Sequence, residues 1–198
     1  MFLRKSILKK LMTQAYKDKL TVAMNGEGWL YIAGSYWEVG VKKDFIPKET
    51  MGDIISLIGE LPLPGERFAA NKEGNQLEVG RKLEVETEEF EGCDTLTITD
   101  VLMIGQGGTT LRLLQDQGTG MVYAVNNVFI NIIDNDECLK RSGEYAVEEP
   151  FYDPVKGILW KNNVCVLRTV FRRDEKNKKT LEALQGIDII PRGKEYEE

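Results

Sequence analysis

Apolar residues recur at Ile7, Leu8, Leu11, Met12, Ala15 and Tyr16, the spacing of one face of an α-helix. Lys5, Lys9, Lys10 and Lys17 fall mostly on the opposite face. The pattern predicts an amphipathic helix over residues 4–18. The period then switches to two. Leu20, Val22 and Met24 alternate, Asn25-Gly26-Glu27-Gly28 supplies a turn, and Trp29 to Ile32 forms a second apolar run. Gly34-Ser35 turns the chain again, and Tyr36 to Val41 alternates with Trp37, Val39 and Val41 on one face. Three short strands are therefore predicted over residues 20–43. Pro47 suits the start of a helix over 47–60, with Met51, Ile54, Ile55 and Ile58 inward and Gly59 and Pro62 to Pro64 at its end. Residues 1–64 read as an αβββα unit.

Periodicity weakens over residues 65–92, where Pro, Gly and polar residues reach loop density. A connection is expected there, followed by an acidic strand. Leu83 and Val85 alternate with Glu84 and Glu86, and Glu88, Glu89 and Glu91 follow. Residues 93–190 read as an antiparallel β-rich part. Apolar alternation at 95–104 leads into Gly105-Gln106-Gly107-Gly108, returns over 109–115, turns at Asp116 to Gly120, and resumes at 121–125 and 128–133. Residues 157–173 read as a hairpin around Asn162-Asn163. Residues 174–185 form a short basic helix with Leu181 and Leu184 inward, and 187–190 a last edge strand. The tail, 191–198, is expected to be mobile. The predicted fold class is α+β: an N-terminal αβββα unit, then a larger antiparallel β-rich part with a short C-terminal helix.

Composition adds mainly exclusions. The 198 residues contain 42% hydrophobic and 29% charged positions, ordinary values for a folded chain, and carry a net charge of −6. That balance disfavours nucleic-acid contact over the whole surface, because phosphate binding needs clustered cations. The three cysteines, Cys93, Cys138 and Cys165, lack metal-site or redox spacing and are read as reduced thiols, which favours a cytoplasmic location. Lys9 and Lys10 interrupt the first apolar run, so neither a leader peptide nor a membrane span is expected.

The chain contains no histidine. Ser-His-Asp and Cys-His sites and histidine-based zinc sites are thereby excluded in their usual forms. The glycine-rich run at 105–110 lacks the spacing of a phosphate loop and reads as a hairpin turn. Asp134 and Asp136 are the candidate ligands for a hard divalent cation such as magnesium, within an Asp- and Asn-rich turn. The cysteines adjoin carboxylates or sit in apolar runs, which disfavours a thiolate nucleophile. No cofactor is implied.

Surface candidates remain. Trp29, Tyr31, Tyr36 and Trp37, with Lys42 and Lys43 beside them, form an aromatic cluster suited to the core, to base stacking or to a protein interface. Trp37 is expected in the core, and Tyr31 and Tyr36 at a contact surface. Glu86, Glu88 and Glu89 would present phosphate-like charge, as small acidic inhibitors from mobile elements do. Arg168, Arg172, Arg173, Lys176, Lys178 and Lys179 form a local basic patch suited to nucleic acid or an acidic partner. The leading expectation is a non-enzymatic, cytoplasmic protein-binding or regulatory module whose partner is another protein or a second copy, without a membrane. The alternatives are a nucleic-acid-binding accessory protein and a magnesium-dependent enzyme built on the acidic turn.

Overall fold

The computed structural model describes residues 1–77, 85, 90–139, 143–170 and 177–190. Glu86, Glu88, Glu89, Arg172, Arg173, Lys176 and the expected mobile tail lie outside them. The fold is α+β, and its strands pair antiparallel throughout.

Helix α1 (Lys5–Ala15) buries Leu8, Leu11 and Met12, as the helical spacing requires. Strands β1 (Leu20–Met24), β2 (Trp29–Ala33) and β3 (Trp37–Lys42) follow as a meander. Helix α2 (Lys48–Ile58) follows Pro47 and buries Thr50, Ile54 and Ile58. These three lie four apart, one stripe along the helix. Ile55, expected inward, lies off that stripe and is exposed. The two helices pack together, with Lys5 paired to Glu49 at 3.2 Å and Lys9 to Asp53 at 2.6 Å.

The stretch read as a connection contains a hairpin. Strands β4 (Arg67–Asn71) and β5 (Gly74–Leu77) are joined by a tight turn in which the Asn71 carboxamide accepts hydrogen bonds from Glu73 and Gly74. The strand signal was weak because β4 contributes only Phe68, Ala69 and Ala70 to the interior. β4 pairs with the outer edge of β1.

Beyond it come β6 (Asp94–Ile104), β7 (Thr110–Asp116) and β8 (Val122–Asn126), a meander closed by the expected glycine turn. The run at 128–133, expected as a strand, is instead the short helix α3 (Val128–Asn131). A short apolar run does not distinguish the two periods. Here the Asn126 carboxamide accepts a hydrogen bond from the Val128 N–H and starts a helical turn. Helix α4 (Asn135–Leu139), β9 (Phe151–Asp153), β10 (Gly157–Lys161), β11 (Cys165–Thr169) and α5 (Lys178–Leu184) complete the chain. In the β10–β11 turn, the Asn162 carboxamide accepts hydrogen bonds from Val164 and Cys165.

Among the described residues the eleven strands form one sheet of order β5-β4-β1-β2-β3-β11-β10-β9-β6-β7-β8. The β3–β11 pairing joins the N-terminal meander to the C-terminal hairpin, with Glu38 opposite Arg168 and Gly40 opposite Val166. The main core lies on one face, where Leu30, Ile32, Val39 and Leu167 meet α1 and α2 residues. A smaller core on the other face gathers Tyr31, Val85, Phe90, Leu159 and Val166. The Met1 ammonium is buried against the Glu144 carboxylate at 2.7 Å, and Asn162 also reaches that carboxylate. Among the described residues, no helix is long and apolar enough to cross a membrane.

Candidate binding site

The aromatic cluster divides between the two faces of the sheet. Tyr31, expected at a contact surface, is buried at 4% exposure. The cause lies on the neighbouring strand. Gly40 stands opposite Tyr31, and a Cβ there would come within 2.7 Å of the Tyr31 ring. The missing side chain leaves room for the ring to lie flat on β3. Trp29 stacks near Tyr31 with ring centroids 6.4 Å apart, and the Lys42 ammonium lies 5.6 Å from the Trp29 ring. Trp37 is in the main core, as expected. Tyr36 is half exposed, at 50%. It occupies the corner between β2 and β3.

That corner forms one wall of a cavity of about 530 Å³. Leu11 and Ala15 at the end of α1 continue the wall. All five residues of β8 also line the cavity, together with Val128 and Phe129 of α3 and Leu181 of α5. Polar groups in the lining come from Gln14, Asp18, Ser35, Gln106, Thr109, Asn126 and Asn177. The volume and the mostly apolar lining with a few polar groups are typical of ligand sites.

The edge of β8 gives this cavity its chemistry. In the β7–β8 ladder, Asp116 N–H donates to the Met121 carbonyl and Asn127 N–H to the Thr110 carbonyl. Antiparallel pairs alternate, so Tyr123 and Val125 turn their backbone groups towards β7. Val122, Ala124 and Asn126 turn theirs outward. At Val122 a side chain fills the slot: Gln185 accepts from the Val122 N–H at 2.8 Å and donates to its carbonyl at 3.2 Å. One carboxamide thus stands in for a strand residue. Gln115 works the same way on β7. It donates to the Ile187 carbonyl at 2.7 Å and to the Gly120 carbonyl at 3.0 Å, and accepts from Ile189 N–H at 2.9 Å. Residues 187–190, expected as an edge strand, are held by this side chain and not by a backbone ladder. Gly120 and Gly186 also meet: Gly186 N–H donates to the Gly120 carbonyl, and a Cβ on Gly120 would lie 3.3 Å from the Gly186 Cα.

Tyr123 lines the cavity, and Tyr152 packs against its ring. Tyr123 and Tyr152 rings are 4.0 Å apart, and their hydroxyls are hydrogen-bonded. Burial pushes both phenols up, and nearby Asp116 adds to the effect at Tyr123. Burial would also raise the Asp116 carboxyl, but hydrogen bonds from Thr119 and Gly118 outweigh it and hold the group below its usual range. The cysteines lie elsewhere. Burial, reinforced by Glu144, pushes the Cys138 thiol up to about 12, and burial raises Cys165 as well. Both are held protonated at neutral pH, the inert form.

The remaining described candidates do not converge on the cavity. Arg168 leaves the expected basic patch because it pairs with Glu38 across the β3–β11 ladder, where Glu38 is buried. Lys178 and Lys179 are exposed on α5. Asp134 is paired with Arg4 at 3.2 Å, and Asp136 is exposed on α4. Among the described residues no three His, Cys, Asp or Glu side chains gather as a metal site would require. Of the predicted site residues that are described, only Tyr36 lines the cavity. Gln115, Gln185 and Tyr123 were not read from the sequence. Their partners are distant in the chain, and no local pattern marks them.

No known family model matches this chain, and neither does any curated protein or solved structure.

Proposed function

We propose that this protein is a non-enzymatic binding module of the cytoplasm, and that it engages a partner protein in the cavity between the Tyr36 corner and β8. One observation carries the reading: a cavity of about 530 Å³ is lined both by a half-exposed tyrosine and by a strand with outward backbone groups. Tyrosine gives contact area at little conformational cost, which favours it in interfaces. The cysteines are free thiols, in keeping with a reducing compartment. The two buried thiols are held protonated, which suits binding better than nucleophilic chemistry.

The test is paired affinity capture from a native lysate. The intact chain and an Ala124→Trp variant, which fills the cavity, are compared at equal loading. A stoichiometric protein retained by the intact chain and lost by the variant supports the reading. Recovery of the same proteins by both, or of none by either, contradicts it.

A further inference from the structure

The β8 edge narrows the kind of partner. Three outward backbone slots run along it, at Val122, Ala124 and Asn126. The first is taken by the Gln185 carboxamide, which supplies one acceptor and one donor as a paired strand would. The other two open towards the cavity, with no protein group bonded to the Ala124 N–H or carbonyl among the described residues. Outward donors and acceptors repeating every second residue match the backbone of another extended chain. Apolar walls from Leu11, Tyr36 and Phe129 would take alternate side chains of such a segment. Among the described residues lining the cavity, Asp18 is the one that is charged, and it is exposed.

We propose that the occupant is a short extended peptide segment of the partner, apolar at alternate positions and carrying a lysine, arginine or terminal ammonium. It adds to the sheet as a strand beside β8, continuing the pairing that Gln185 begins, and its cation meets Asp18. This rests on the cavity being the binding site. The backbone supplies affinity and the apolar walls select the side chains.

The probe is a displayed library of random linear hexapeptides selected on the full chain. Selected peptides are expected to be rich in alternating apolar residues with a basic residue at one end. Methylating peptide N–H groups one at a time is expected to weaken binding about tenfold at alternate positions only. On the protein, Ala124→Pro removes the outward N–H at an edge position that tolerates proline, and Ala124→Ser keeps it. Binding is expected to fall by about tenfold in the first and to persist in the second. Asp18→Lys is expected to weaken the basic peptides selectively.

Binding that Ala124→Trp blocks, but that shows no alternation on methylation and survives Ala124→Pro, would overturn strand addition while leaving the cavity as the site. Peptides indifferent to Ala124→Trp would overturn both. Recovery of no peptide specific for the chain would also count against strand addition.

Discussion

The central strands and the β6–β7–β8 wing are parts of one sheet, yet they are finished differently. In β1, β2, β3, β11 and β10 each strand has a neighbour on both sides, and residues such as Leu30, Ile32, Val39, Leu159 and Leu167 are fully buried. Both faces are covered, one by the two helices and the other by the Val85 and Phe90 cluster. The wing keeps Ile98, Leu102, Ile104 and Met121 substantially exposed. Its outer strand has one side-chain amide, that of Gln185, where the central strands have ladders. Backbone ladders satisfy every polar group and leave nothing for a partner. Side-chain surrogates satisfy some and leave the rest directed at a cavity. On the proposed reading, the centre holds the fold together and the wing recognises the partner.

Substitutions can break this contrast. The largest effect is expected at Gly40→Val, in the centre. The new side chain would collide with the Tyr31 ring and Val166, which lie 2.7 and 2.9 Å from where the Cβ would be. Overpacking of this kind is expected to cost about 3 kcal/mol or more, or to prevent folding. Urea denaturation measures it, and an unchanged midpoint would show that the centre yields easily.

A smaller and more local loss is expected from Gln115→Leu in the wing. It leaves the Gly120 and Ile187 carbonyls and the Ile189 N–H without their partner. The cost should be about 1–3 kcal/mol. Limited proteolysis should cut near residue 187 in the variant before the central sheet unfolds. Loss of the whole fold in one step would erase the distinction between the two regions.

The smallest effect is a pH dependence confined to the β7–β8 turn. Asp116 is held below its usual range by the turn amides, so its ionised form favours the folded turn. That contribution is complete above about pH 4 and is lost as the pH falls through the lowered folded value. The amide signals of Gly118 and Thr119 should shift in acid. Asp116→Asn, which keeps an acceptor oxygen, should flatten that dependence. A variant that titrates like the parent would assign the effect to another group.

How far the sequence reveals these regions follows from the range of the interactions that build them. Helices α1 and α2 are legible because their burial repeats within a few residues, and strands β1 to β3 because short apolar runs are separated by glycine-containing turns. The β10–β11 hairpin is legible from Asn162-Asn163. Helix α3 is not, since its single turn carries the same apolar run that a strand would. The site is mostly illegible. Tyr36 could be named from its aromatic neighbours, but Tyr31 was misplaced because the space it fills is created by Gly40 on another strand. Gln115 and Gln185 are ordinary polar residues until the fold sets them 72 and 63 positions along the chain from their partners. Arg168 reads as one of six nearby cations, and only the pairing of β11 with β3 assigns it to Glu38.

Hydrogen exchange of individual amides tests the contrast most directly. Within β8, the Val125 N–H faces β7 while the Ala124 N–H faces the cavity. The Ala124 amide should exchange close to the rate of an unstructured peptide. The Val125 amide, and those of Val39 and Leu167 in the centre, should be strongly protected. Equal protection of Ala124 and Val125 would show that the β8 edge is already occupied, and would contradict the proposal that a partner binds there.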